Sequence, residues 1–268
     1  LFLPKFDPAA VVAALPDCTV MMGVPTYYAR LLREPGLDRE ACRNMRLFIS
    51  GSAPLSPEVF AAFRERTGHA ILERYGMTET GMLTSNPLRG ERRPGSVGLP
   101  LPGVALRVVG PDGSVRRPGE IGAVEVSGAN VFSGYWRQAG KTAEAFTPDG
   151  YFRTGDQGYI SADGYLTLSG RSTDLIITGG LNVYPREVEL LLDGLQGVAE
   201  SAVVGVPHPD FGEAVVAAVV AEPGTAPAEA GIIAAMKERL AGFKVPKRVF
   251  MVNDLPRNSM GKVEKTVL

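Results

Sequence analysis

The sequence predicts an α/β protein made of three consecutive parts: a partial α/β layered subdomain over residues 1–96, a β-rich, barrel-like subdomain over 97–171, and an α+β domain over 172–268. Three observations carry this reading. Helical and strand patterns alternate up to about residue 96, as in α/β units. From Gly95 to Gly170 they give way to short β-rich runs separated by Pro-Gly, Asp-Gly and Ser-Gly turns. Beyond Arg171 a helical period returns within about 100 residues, enough for a small domain with its own core.

In the first part, the apolar runs Cys18 to Val24 and Leu47 to Ile49 read as buried parallel strands. Ser56 can cap a helix whose first turn holds Pro57, whose apolar face is Val59, Phe60 and Phe63, and which Gly68 stops. The second part has strand runs at Ala105 to Val109, Ala123 to Val126 and Tyr165 to Leu168. The third opens with a strand-like Asp174 to Ile177 and the pair Gly179-Gly180. A helix then starts near Pro185 with Val188, Leu191, Leu192 and Leu195 facing inward. Strands follow at Ser201 to Val206 and Ala214 to Ala221, then a helix from about Ala228 to Leu240 and a strand at Arg248 to Val252. No internal repeat or low-complexity segment interrupts this order.

The 268 residues are 45% hydrophobic and 21% charged, an ordinary globular composition with enough apolar material for real cores. A net charge of −1 gives no general attraction to nucleic acid or to an anionic membrane, so the chemistry must lie in local sites. The two cysteines, Cys18 and Cys42, fit no paired metal spacing and suit a reducing compartment better than a disulfide framework. No apolar run reaches the length of a membrane span, and Leu1-Phe2-Leu3-Pro4-Lys5 lacks the zones of a signal peptide. A cytoplasmic protein is expected. The chain lacks an initiating Met and opens as if in mid-domain, which reads as a fragment of a longer protein.

The chemistry concentrates in a few short stretches. Glu73-Arg74-Tyr75-Gly76-Met77-Thr78-Glu79-Thr80 sets a hydroxyl beside a carboxylate behind an aromatic-glycine turn. Magnesium takes hard oxygens, usually one or two carboxylates plus substrate phosphates, so Glu79 reads as a Mg²⁺ ligand and Thr78 as a donor to phosphate. In Tyr151-Phe152-Arg153-Thr154-Gly155-Asp156 the Asp156 carboxylate could accept both hydroxyls of a ribose; Thr-Gly-Asp alone is equally a solvated turn. Lys262 follows Pro256-Arg257-Asn258-Ser259-Met260-Gly261, a loop able to present an ammonium to a ligand, although a lysine near a terminus is ordinarily just a solvated charge. Lys265 is read as its bland neighbour, and His208 in Val206 to Glu213 as structural.

The ordered set, completed by Gly170-Arg171-Ser172-Thr173-Asp174 and Gly261-Lys262, resembles the acyl-adenylate-forming superfamily of acyl-CoA synthetases, peptide-synthetase adenylation domains and firefly luciferase. The resemblance runs over essentially the whole chain and implies the C-terminal part of such an enzyme, ending in a mobile domain. It implies that Asp156 holds the ribose of ATP with help from Arg171. The turn Gly51-Ser52-Ala53-Pro54 would lie along the adenine and acyl pocket, with Glu73, Arg74, Tyr75 and Gly76 bordering the nucleotide. Lys262 would bridge the substrate carboxylate and the α-phosphate during adenylation. Asp174 would be the hinge between two half-reactions, and Gly179 and Gly180 would line the CoA tunnel, where glycine lets backbone approach a thiol arm.

Within that superfamily Phe2 to Pro8, Met22 to Thr26, Phe48 to Pro54 and Glu73 to Thr80 are similar to malonyl-CoA synthetases. A substrate with two carboxylates needs one free to react and one held by a cation, and a guanidinium fork matches a carboxylate bidentately. Arg30 is the first candidate for the distal carboxylate and Arg92 the second, with Ser50 beside them. The expected substrates are malonate, ATP and CoA. The alternatives are methylmalonate or another carboxylic acid, or a catalytically silent fragment that binds nucleotide or CoA. Acylation of Lys262 would switch such an enzyme off by removing its charge. The superfamily also has an upstream Ser/Thr/Gly-rich phosphate loop with no counterpart here, so this chain alone is expected to be inactive.

Overall fold

The computed structural model describes residues 3, 5–258 and 261–268. Phe2 and Pro4 of the opening run, and Ser259 and Met260 of the loop before Lys262, lie outside the described residues. The chain divides into two compact units, one of residues 1–154 and 158–168, the other of residues 155–157 and 169–268. No helix among the described residues is long and apolar enough to cross a membrane.

The first unit begins with α1 (Pro8–Ala14), β1 (Val20–Gly23), α2 (Pro25–Leu31), β2 (Leu47–Ser50), α3 (Pro57–Thr67), β3 (Leu72–Met77), β4 (Gly81–Ser85) and β5 (Leu99–Pro100). Its five-stranded sheet runs in the order β1-β2-β3-β4-β5. The first three strands are parallel and the last two join antiparallel, so an α/β half meets a β-meander in one sheet. α3 forms as its sequence requires: the Ser56 side chain accepts from the Val59 amide at 3.2 Å, Pro57 stands in the first turn, and Gly68 closes the helix at φ 79°. Its buried Phe60 and Phe63 join Tyr28 and Phe48 in a core where aromatic rings meet edge to face. Arg66 on the same helix donates to the carbonyls of Leu32, Glu34 and Leu37, tying down the chain that leaves α2.

β6 (Ala105–Val109), β7 (Gly122–Ser127), β8 (Phe152–Ile160) and β9 (Leu166–Arg171) form a four-stranded sheet in that order, and α4 (Ala139–Ala145) lies between β7 and β8 in sequence. Val108, Val124, Val126, Phe152 and Leu166 share a second core with Tyr75 and Leu83 of the β3–β4 hairpin. The alternation of buried and exposed positions along Phe152 to Asp156 is the period of a strand with one covered face.

The second unit contains β10 (Ile176–Thr178), β11 (Leu181–Val183), α5 (Pro185–Asp193), β12 (Val198–His208), β13 (Gly212–Ala221), α6 (Glu229–Lys237) and β14 (Arg248–Val252). The sheet order is β11-β10-β13-β12, with β14 pairing parallel to β13. Val188 and Leu192 of α5 and Ile232 and Met236 of α6 pack on Val203, Val215, Ala217, Val219 and Val249 of the sheet. One sequence expectation is corrected here. Asp174 belongs to a single 3₁₀ turn, Ser172–Asp174, rather than to the strand that follows it. Gly179 and Gly180, at φ 56° and 78°, form the two-residue turn of the β10–β11 hairpin, a left-handed pair that glycine adopts without a Cβ penalty.

Candidate functional site

The register of the parallel strands aligns Gly23 with Ser50, and Ser50 with Glu73. The loops after β1 and β2 therefore leave from one edge, the carboxyl end of the strands, where open α/β sheets bind ligands. After β2 the chain runs through Gly51-Ser52-Ala53-Pro54 with Ser52 at φ 71°, a left-handed conformation that costs a non-glycine residue energy. The buried Glu73 carboxylate holds this loop by accepting from the Leu55 amide at 3.0 Å. Behind it, Asn86 donates to the Glu73 carbonyl from both its backbone amide and its side chain, at 2.9 and 3.2 Å. Arg74 runs beneath Gly51, where an added Cβ would lie 3.4 Å from the Arg74 carbonyl. Ser50 is fully buried, and among the described residues its Oγ makes no hydrogen bond.

Tyr75 and Gly76 lie in β3, which corrects the expected aromatic-glycine turn. The turn is Thr78-Glu79-Thr80, closed by the Thr80 amide on the Met77 carbonyl at 3.1 Å. Glycine at 76 answers a different need. The hairpin register slips there, and a Cβ would lie 2.1 Å from the Gly81 carbonyl oxygen. The turn leaves the Thr78 side chain exposed and Glu79 half-buried. A segment without a chemical motif of its own supports it: Phe132 N donates to Glu79 O at 2.7 Å, Asn130 Nδ2 to Thr80 O at 2.8 Å, and the Tyr135 hydroxyl to Glu79 Oε1 at 3.2 Å. Nothing in the local pattern around Gly134-Tyr135-Trp136 points to a carboxylate 56 residues earlier.

One carboxylate beside an exposed hydroxyl suits a Mg²⁺ ion that keeps most of its coordination for phosphate and water. Among the described residues no group of three or more His, Cys, Asp or Glu side chains is placed to hold a metal by itself. A cation arriving with a nucleotide fits these residues; a protein-caged one does not.

In the second unit Asp156 is buried and pairs with Arg171, Nε to Oδ1 at 3.2 Å, while the Arg171 side chain is half exposed. Asp156 lies within β8 rather than in a solvated turn, because Gly155 at φ 76° bends the strand without ending it. Lys262 is half-buried, and its amide donates to Asn258 Oδ1 at 3.1 Å.

The two arginines differ. Arg92 donates to the carbonyls of Pro87, Leu88 and Ala70, and its burial lowers its pKa. Arg30 is exposed in the last turn of α2, two residues past Tyr28, whose hydroxyl donates to the Ile49 carbonyl at 2.6 Å. The strand edge is reached by Pro25 at the start of the helix, so Arg30 stands about 7–8 Å further along the axis.

Two family models match: the AMP-binding enzyme over residues 2–136 and the AMP-binding enzyme C-terminal domain over residues 187–262. The chain is 42% identical to a sulfoacetate–CoA ligase of Cupriavidus necator, covering 94% of this chain and 49% of the relative. It is 40% identical to a malonate–CoA ligase of Arabidopsis thaliana, covering 93% and 44%. Among solved structures, ATP-bound MatB from Rhodopseudomonas palustris superposes with a TM-score of 0.97 at 54% identity, covering 99% of this chain and 53% of that one. The chain spans about half the length of the relatives it matches. With both family models matched in sequence order, the first over the Thr78-Glu79 turn and the second up to Lys262, the chain belongs to the AMP-binding enzyme family of acyl-adenylate-forming proteins.

Proposed function

We propose that this chain carries the acid-binding and terminal parts of an ATP-dependent, AMP-forming ligase that makes malonyl-CoA. The malonate carboxylate attacks the α-phosphorus of ATP to give malonyl-adenylate and pyrophosphate; the CoA thiol then attacks the acyl carbon, releasing AMP and a proton. The observation that carries this reading is the 40% identity to a malonate–CoA ligase over 93% of the chain. The sulfoacetate–CoA ligase at 42% supports the same pocket chemistry, since sulfoacetate also bears a second anion next to the reacting carboxylate.

In this proposal Thr78 donates to phosphate and Glu79 binds Mg²⁺, which supplies charge neutralisation when it is bound with ATP. Asp156 and Arg171 hold the ribose, Gly51 to Pro54 with Glu73 to Gly76 shape the nucleotide and acyl pocket, and Gly179 and Gly180 border the CoA path. Lys262 stabilises the adenylation transition state, and Asp174 is the hinge between half-reactions. Arg30 takes the distal carboxylate with Ser50, because the guanidinium of Arg92 is already committed to backbone carbonyls. The three-part division at residues 96 and 171, a cytoplasmic location and silencing by acylation of Lys262 belong to the same proposal.

The test fuses this chain behind the N-terminal half of Rhodopseudomonas palustris MatB and assays it beside the chain alone, with malonate, methylmalonate, sulfoacetate and acetate. Malonyl-CoA from the fusion, with acetate poor, supports the reading. A folded fusion that activates another acid in preference overturns the substrate. A folded fusion that adenylates none of the four and only binds ATP or CoA overturns the ligase and leaves the silent binding fragment.

A further inference from the structure

The loop that carries Lys262 is held at both ends by ion pairs. On one arm Arg257 pairs with Glu200 of β12 and donates through Nη1 to the Gly261 carbonyl at 2.9 Å. Just past the other arm, Lys265 Nζ donates to Glu189 Oε1 of α5 at 2.5 Å. Between them the described residues of the two arms pair with each other. Arg257 bridges Val263, Asn258 N donates to Lys262 O at 2.9 Å, and Glu264 N to Pro256 O at 2.9 Å. Val263 packs beside Leu255, Ala202 and Ala218.

The Lys265–Glu189 pair is unlike an ordinary surface ion pair. The Glu189 side chain is 9% exposed and also accepts from the Val203 amide at 3.0 Å, which fixes its carboxylate before Lys265 arrives. Only 17% of the Arg257 side chain and 23% of the Lys265 side chain remain exposed. Exposed pairs contribute little because two long side chains must be ordered in water. Here Glu189 is ordered in advance by the Val203 amide, with Arg186 at 4.0 Å as a second cation, so Lys265 meets a carboxylate already in place; Glu200, its side chain 32% exposed, is partnered by Arg257.

We propose that Arg257 and Lys265 are positioning residues, clamping the terminal loop to Glu200 and Glu189 so that the Lys262 ammonium meets the reacting carboxylate and α-phosphate at a fixed reach. This rests on the adenylation role given to Lys262 above. An ammonium on a flexible four-carbon stem delivers its charge only as accurately as its backbone is held, and a misplacement of about 1 Å costs roughly 100-fold in rate.

The fusion with the MatB N-terminal half carries the test, reading malonyl-adenylate formation and CoA attack on supplied malonyl-adenylate separately. Lys265→Met is expected to slow the first step by about 100-fold and leave the second within a few-fold, with an unchanged KM for malonate. Lys265→Arg is expected to recover most of the loss, and Lys262→Ala/Lys265→Met to be no slower than Lys262→Ala alone. If Lys265→Met fails to melt cooperatively, Glu200→Gln, which releases only Arg257, takes its place with the same expectations. Undiminished adenylation by a folded Lys265→Met or Glu200→Gln, with Lys262→Ala inactive, overturns the clamp alone. Full adenylation by Lys262→Ala overturns the role of Lys262 and the clamp with it.

Discussion

The Tyr135 hydroxyl donates to Glu79 Oε1 at 3.2 Å, joining an aromatic residue beyond β7 to the carboxylate of the β3–β4 turn. The same segment grips the turn twice more through its backbone and Asn130. Burial and the adjacent carboxylate both raise the Tyr135 pKa, so the phenol stays a donor at neutral pH. A carboxylate oriented in this way offers its other oxygen to a cation. In the fusion, Tyr135→Phe is expected to raise the Mg²⁺ concentration needed for half-maximal adenylation by about 10-fold, within the range seen for residues that orient metal ligands. Titrating Mg²⁺ at saturating ATP checks it, and an unchanged midpoint removes Tyr135 from the site.

The hairpin that carries Thr78 and Glu79 also constrains Gly76. Its Cβ would overlap the Gly81 carbonyl and the Met82 backbone, neither of which can rotate away. Gly76→Ala is expected to lower the unfolding free energy of this chain by at least about 2 kcal/mol. Gly81→Ala, at φ 59° but with nothing within 4 Å of an added Cβ, is expected to cost only about 1 kcal/mol of backbone strain. Denaturant melts of the two variants decide it, and equal losses would show that the hairpin relaxes around the added Cβ, so that crowding does not dictate glycine at 76.

What the sequence disclosed followed from local chemistry. Ser56, Pro57 and Gly68 bound α3 because capping is decided within one turn, and the parallel strands at Val20 and Leu47 follow from short apolar runs. Asp156 was legible as a chemical residue but not as a strand residue, because a positive-φ glycine in a strand reads like a turn until its neighbours are seen. Tyr135, Glu189 and Glu200 were not legible at all. Their partners Glu79, Lys265 and Arg257 are 56, 76 and 57 residues away, and no periodicity encodes a single long-range hydrogen bond.

The contrast between the two arginines gives opposite expectations. Arg92→Met withdraws donors from three backbone carbonyls and is expected to lower stability by about 1–3 kcal/mol while leaving the malonate KM of the fusion unchanged. Arg30→Ala is expected to leave stability within about 0.5 kcal/mol, as for an exposed side chain. It should raise the malonate KM at least about 10-fold, with ATP unaffected, because a charged partner typically contributes 1.5–3 kcal/mol. Thermal melts together with malonate and ATP saturation curves check both. An unchanged malonate KM in Arg30→Ala removes it from the pocket, and a raised one in Arg92→Met moves Arg92 into it.

Asp193 ends α5 close to the anchor Glu189, and its surroundings set the sign of a pH effect. Burial pushes its carboxyl up to about 6 from an ordinary value near 3.8. The Ser201 hydroxyl, donating at 2.7 Å, and the Arg186 guanidinium at 3.7 Å oppose that shift, while Glu189 and Glu200 add to it. The folded state therefore binds the proton more tightly than the unfolded chain. Its stabilising contribution is complete below about pH 4 and is lost as pH rises through about 6. Asp193→Asn cannot ionise, so its melting temperature is expected to gain on that of the unmodified chain between pH 4 and pH 7, by a few degrees. Melts of both proteins in matched ionic strength across that range give the difference directly. A gap that stays flat from pH 4 to 7 would mean that Asp193 is ionised throughout, with Arg186 and Ser201 outweighing its burial.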